Sequence, residues 1–252
     1  MFRRRKREPP SPGGQMPVLE HLGELRRRVF VCVIAIGIGA VIAFAFSNQI
    51  IKFLVEYYTD ATRGQTELPR KALVFTGPAD AFLTRLKVAT YGGVILALPV
   101  WLYELWRFIT PGLNPKEKRY AIPFIISALV LFALGAFVAF QTLEPALKFL
   151  VSVGGEAQEP LFTSDKYLGL VLLMIIAFGL AFEFPVVLVF LLIAHVITTD
   201  QLRKARRWAI VAIVTFAAVI TPSQDPYSLA FMAVPMYIFY ESAILIGRII
   251  KR

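Results

Sequence analysis

The chain has 252 residues, 57% hydrophobic and 17% charged, with mean hydropathy +0.65 and a formal net charge of +10. These values exclude an ordinary soluble globular domain and place the chain among polytopic membrane proteins. A single cysteine, Cys32, excludes disulfides within the chain and any cysteine-based metal site.

Residues 1–15 carry five basic residues followed by P-P-S-P-G-G and show no apolar periodicity. They read as a disordered basic cytoplasmic tail that lies against anionic lipid headgroups. From residue 16 to 252 the chain reads as one membrane domain. Its apolar runs fall at 29–46, 86–106, 121–143, 167–197, 208–220 and 227–247. Crossing a hydrocarbon core of about 30 Å takes about 20 residues of helix. The runs are continuously apolar and lack the alternating pattern of barrel strands, so the fold class is all-α with six transmembrane helices.

The first run follows Arg27-Arg28 and ends near Ala43-Phe44-Ala45, in the manner of a secretory signal. Retention is expected instead, because the later spans depend on it for their orientation. The fifth run, 208–220, would be only about 20 Å long as a helix. Either the bilayer thins there, or Arg206 and Arg207 snorkel and the helix starts near Leu202.

An even number of spans puts both termini on one side. Of the 27 Lys and Arg, 19 lie in the N-terminal segment, the second loop (Arg107, Lys116, Lys118, Arg119), the fourth loop (Arg203, Lys204, Arg206, Arg207) and the tail. That side is therefore cytoplasmic. The positive charge is a topology signal and does not point to nucleic acid. The exported side receives 47–85, 144–166 and the turn at 221–226, and the two longer loops should form a periplasmic cap. Pro78 is placed to start a helix there, while Glu144-Pro145 and Asp165 mark the ends of the second loop.

Ionisable residues at membrane depth are costly and face a cavity or a partner. Glu183, in F-G-L-A-F-E-F-P, lies mid-span beside Pro185, whose missing N–H implies a kink with free carbonyls. It either donates a proton to such a carbonyl, a structural role, or lines a wet groove. Glu241 sits nearer the cytoplasmic end of the last span, where Arg248 is a candidate counter-ion. Asp80 and Lys87 bracket the exported end of the second span as an expected anchor pair. There is no H-E-x-x-H, Walker A loop or G-x-S-x-G elbow, so neither an enzyme nor a metal or cofactor site is expected.

Two further acids, Glu24 in H-L-G-E-L-R-R-R and Glu117 in N-P-K-E-K-R, stand among cations at the cytoplasmic membrane edge. They either pair within the chain, Glu24 with Arg28 at i, i+4 and Glu117 with a flanking Lys, or receive a cationic guest. Guanidinium is the guest that fits a carboxylate bidentately.

The segments L-E-H-L-G-E-L-R-R-R (19–28), W-R-F-I-T-P-G-L-N-P-K-E-K-R (106–119), F-G-L-A-F-E-F-P (178–185) and P-M-Y-I-F-Y-E (235–241) resemble the TatC family, the membrane receptor of the twin-arginine translocase. The likeness runs from about Met16 to Arg252. It implies a glove-shaped six-helix bundle in the plasma membrane with cytoplasmic termini. It also implies self-association in a receptor complex, TatA-type and TatB-type single-span partners, and export of folded proteins driven by the proton-motive force. By the same resemblance, Glu24 and Glu117 contact the paired arginines of a signal peptide, with Arg26, Phe108 and Pro111 beside them, and Glu183 lines the concave face. Glu241, Pro235, Asp225, Ser228 and Asp80 have partner-helix or structural roles. Leu229 stands where the family often has glutamine. A small-molecule secondary transporter would instead show internal repeats with paired broken helices, which are absent from the sequence. A passive scaffold would tolerate loss of Glu24 and Glu117.

Overall fold

A computed structural model describes residues 18–62, 73–109, 121–153 and 162–249. Among them are nine helices: α1 (Val18–Ala45), α2 (Ser47–Thr62), α3 (Asp80–Leu96), α4 (Leu98–Ile109), α5 (Ala121–Val153), α6 (Ser164–Ala181), α7 (Phe184–Ile193), α8 (Thr199–Ile220) and α9 (Pro226–Ile249). The fold is all-α, and the one β feature among the described residues is an isolated bridge between Val74 and Thr163. The tail at 1–15 lies outside the described residues.

Four stretches are long and apolar enough to cross a membrane: α1, α5, the pair α6–α7, and α9. Helices α3 and α4 add a fifth when taken as one span bent by 48°. The sequence suggested an unbroken run at 86–106, and the bend corrects it. Pro99 is the second residue of α4; its ring clashes with the carbonyl four residues back and it donates no hydrogen bond. The ladder therefore ends at Ala97, whose N–H reaches Gly93 O at 3.0 Å. Pro185 does the same at the second residue of α7, and the expected kink appears as a break at Phe182 and Glu183. Pro145 and Pro235, in contrast, lie inside continuous helices.

Two loop boundaries also move. Helix α5 runs through Pro145 to Val153, so the second exported loop does not begin at Glu144, and 47–62 is helical. The two loops do meet: Val74 N donates to Phe162 O at 3.3 Å and Ser164 N to Val74 O at 3.0 Å. Lys87 does not pair with Asp80. It reaches across to Asp165 of α6, 2.7 Å away, and ties the N-terminal halves of α3 and α6 together.

The helix over the fifth apolar run is also longer than that run. Helix α8 has 22 residues, about 33 Å at 1.5 Å per residue. A capping box starts it: Thr198 Oγ1 accepts from Gln201 N, and Gln201 Oε1 accepts from Thr198 N. The helix begins earlier than the snorkelling alternative required, and its four basic residues ride on its second and third turns.

The core centres on α6, whose Leu168, Val171, Met174 and Phe178 are buried against Leu143 and Leu147 of α5 and Val88 of α3. Met232, Met236 and Ile244 of α9 complete it. Close backbone approach fixes two crossings. A Cβ at Gly93 would lie 2.6 Å from Ala40 N of α1, and one at Gly135 would lie 2.5 Å from Phe178 O of α6. Small residues permit this contact, which drives helix association where lipid is as apolar as the side chains. Helix α1 packs on α3 and α4 and leaves Val29, Phe30, Val33 and Val41 exposed on its outer side.

Candidate functional site

Glu24 lies on α1 with Arg28 one turn further on the same face, and the expected i, i+4 pair forms. Arg28 has a second partner that sequence spacing does not reveal. Its Nη1 donates to Glu104 Oε2 on α4 at 3.1 Å, while Nη2 donates to Glu24 Oε1. One guanidinium thus bridges carboxylates on two helices. The side chains of Arg28 and Glu104 are 11% exposed and that of Glu24 23%. The pairing is therefore much drier than an ordinary surface ion pair.

One turn closer to the helix ends, His21 of α1 stacks on Phe108 of α4, with ring centroids 4.4 Å apart and planes 15° from parallel. His21 precedes Glu24 by three residues and Phe108 follows Glu104 by four, so stack and ion cluster occupy successive levels of one seam. Phe108, on α4 and not in a loop, shares this seam with Glu24 through its stack on His21. Arg26 does not join the cluster: it is exposed, as are Arg27 and Arg107. Glu117 and Pro111 lie outside the described residues.

Glu183 sits where the helix breaks. Its N–H donates to Leu180 O at 3.1 Å and its carbonyl accepts from Val187 N at 3.1 Å. The side chain is half-buried, and Oε1 is buried without a hydrogen-bond partner among the described residues. Nearby, a nearly wholly apolar cavity of about 340 Å³ opens between α4, α5, α7 and α9, lined by Trp106, Phe124, Leu131, Pro185, Phe190 and Ile246 among others. Glu183 is not among the lining residues, although Pro185 and Val186 are.

The remaining candidates have partners in the chain. Asp80 Oδ2 accepts from Thr76 N, Thr76 Oγ1 and Gly77 N, each at 2.8 Å, and so closes the turn that leads into α3. Asp225, 1% exposed, accepts from Ser228 N at 2.7 Å and from Ser223 Oγ, capping α9. Ser228 is fully buried and its Oγ has no partner among the described residues. Leu229 packs against the core. Glu241 pairs with Arg206 of α8 at 2.6 Å, and not with Arg248, and it accepts from Tyr237 Oη at 3.3 Å. The basic third turn of α8 lies beside α9 and supplies this counter-ion.

Glu104 is the residue that sequence reading missed. It falls inside the apolar run 86–106, two residues from its end, and a lone acid there was the available signal.

Comparison with known proteins adds an independent line. The family profile for Sec-independent protein translocase protein (TatC) matches residues 20–235. A TatC of Carboxydothermus hydrogenoformans is 36% identical over 237 residues, covering 94% of this chain and 94% of its own. A TatC of Aquifex aeolicus is 38% identical over 240 residues, with 94% and 97% covered. A TatC of Frankia casuarinae is 40% identical over 239 residues, and the match spans 92% of this chain and 66% of that longer relative. Among solved structures, one described as the crystal structure of the twin-arginine translocase receptor TatC superposes with a TM-score of 0.75 at 36% identity, covering 92% of this chain and all of the other.

Proposed function

Because the chain belongs to the TatC family of Sec-independent protein translocase proteins, multi-pass membrane proteins, we propose that it is the signal-peptide receptor of a twin-arginine translocase. In this reading residues 16–252 form one six-helix, glove-shaped membrane domain with both termini in the cytoplasm, and α8 is the fifth span. Glu24 and Glu117 each take one arginine of a signal peptide carried by a folded precursor. TatA-type and TatB-type single-span proteins assemble with it, and the proton-motive force drives passage of the cargo.

The observation that carries the reading is the family match over residues 20–235, which brings Glu24 with it; the state of Glu24 is compatible with it. The Glu24 carboxylate already holds a guanidinium, that of Arg28, in a setting little exposed to water. A carboxylate that binds the chain's own arginine has the geometry to bind another, because the planar fork of guanidinium matches two carboxylate oxygens. The His21–Phe108 stack places aromatic surface at the same seam, and a guanidinium stacks on the face of such a ring. The apolar part of the signal peptide takes the cavity lined by Trp106, Phe124, Phe190 and Ile246.

Photocrosslinking from probes at Gly23 and Leu25, which flank Glu24, tests this reading. A signal peptide bearing Arg-Arg is expected to label strongly and its Lys-Lys counterpart weakly. Equal labelling by both would sink the receptor reading.

A further inference from the structure

Among the described residues, the ion cluster at the α1–α4 seam contains two carboxylates and one guanidinium, one cation fewer than its acids. Arg28 is shared between Glu24 and Glu104. Glu24 Oε2 is buried and has no hydrogen-bond partner among the described residues. The nearby cations of α1 and α4, Arg26, Arg27 and Arg107, are exposed and take no part in the cluster. We propose that Arg28 is an internal guest that occupies the receptor carboxylate at rest, and that Glu104 is the residue to which it retires when an arginine of the signal peptide takes Glu24. This rests on the reading of Glu24 as a receptor for a guest arginine.

The exchange balances charge. At rest there are two acids and one cation; with a guest bound there are two complete pairs, guest with Glu24 and Arg28 with Glu104. Glu104 makes the second pair possible. An arginine with only 11% of its side chain exposed cannot give up its sole counter-ion cheaply, because an uncompensated buried charge is strongly destabilising. With Glu104 in place, Arg28 gives up one carboxylate and keeps the other. Without Glu104, every guest at Glu24 would strand Arg28.

The device also sets a threshold. An internal competitor lowers the affinity of every guest by the same factor. A lysine guest, lacking the planar fork, starts from weaker pairing and drops below the working range, while an arginine guest stays within it. Arg28 and Glu104 are thus positioning residues that act on the guest through Glu24.

The test uses the full-length protein in lipid nanodiscs and a fluorescent signal peptide carrying Arg-Arg, with folding checked by thermal unfolding and size-exclusion chromatography. Glu104→Gln is expected to weaken peptide binding by about tenfold or more. Adding Arg28→Gln to it removes the stranded cation and should restore binding to at least the wild-type level. Arg28→Lys keeps a positive charge on α1 but loses the bridging fork, and should tighten binding several-fold. It tests the competitor even if Glu104→Gln does not fold. Unchanged or tighter binding in Glu104→Gln, failure of the double variant to recover, or weaker or unchanged binding in Arg28→Lys would each overturn the proposal. Should wild type bind Arg-Arg and Lys-Lys peptides alike, the receptor reading fails and this inference with it. Arg-Arg preference with no response to Glu104→Gln defeats the inference alone.

Discussion

Replacing Gly93 by alanine puts a methyl group where α1 and α3 touch backbone to backbone. An added Cβ would stand 2.6 Å from Ala40 N, 2.8 Å from Ala40 Cα and 2.8 Å from Ile36 O. Carbon contacts settle near 3.5–4.0 Å, so the helices must part locally by about 1 Å. All three neighbours are backbone atoms, so no rotamer change relieves the contact. Overpacking of this kind costs about 1–3 kcal/mol. Gly37 of α1 is the control, because nothing lies within 4 Å of a Cβ built there. Alanine at that exposed helical position should gain about 0.5–1 kcal/mol. The two Gly→Ala changes are thus expected to have opposite signs. Thermal unfolding of the purified protein, followed by tryptophan fluorescence, reads the difference, since Trp101 and Trp106 both sit on α4 beside α1. Gly93→Ala should melt below wild type and Gly37→Ala at or above it. The same separation pulls Arg28 from Glu104, so Gly93→Ala should also alter peptide binding. A Gly93→Ala protein that melts no lower than Gly37→Ala would refute the close-contact account of the α1–α3 crossing.

Asp225→Ala removes the α9 cap and leaves Ser228 N and Ser223 Oγ without their acceptor at a site 1% exposed, at a cost of about 1–2 kcal/mol by equilibrium unfolding. Ser228→Ala is expected to be neutral or slightly stabilising in the same assay, because the hydroxyl it removes is buried and unpaired among the described residues. The Arg206–Glu241 pair is more than a third exposed, so a double-mutant cycle should give a coupling below about 1 kcal/mol that shrinks in high salt. Lys87→Met should likewise cost less than about 1 kcal/mol, its side chain being 43% exposed, and should chiefly increase hydrogen exchange where α3 meets α6.

Much of the membrane architecture was legible because bilayer thickness translates directly into the length of an apolar run. Helices α1 and α9 fall close to the runs at 29–46 and 227–247, extended by polar turns that hydropathy cannot register. The breaks were written in Pro99 and Pro185, yet only the second was read, because Glu183 drew attention to it. The length of α8 was obscured by Arg203, Lys204, Arg206 and Arg207, which interrupt apolarity but do not interrupt a helix with a capping box. At the site, Glu24, Arg28 and Phe108 were visible as a local pattern and as a family likeness. The partnership of Arg28 with Glu104 was not, since it joins residues 76 apart and follows from how α4 bends back along α1. Lys87 and Glu241 show the same limit: their ion partners, Asp165 and Arg206, come from other helices, which proximity in sequence does not reveal.

The central claim is that Glu24 takes a guanidinium from a guest peptide. Its most direct test is a cycle of two proteins and two peptides, wild type and Glu24→Gln in nanodiscs, each titrated with Arg-Arg and Lys-Lys forms of one signal peptide. Wild type should prefer Arg-Arg by about tenfold, equivalent to about 1.4 kcal/mol, and Glu24→Gln should lose most of that preference. A preference for Arg-Arg that is the same in both proteins would contradict the claim.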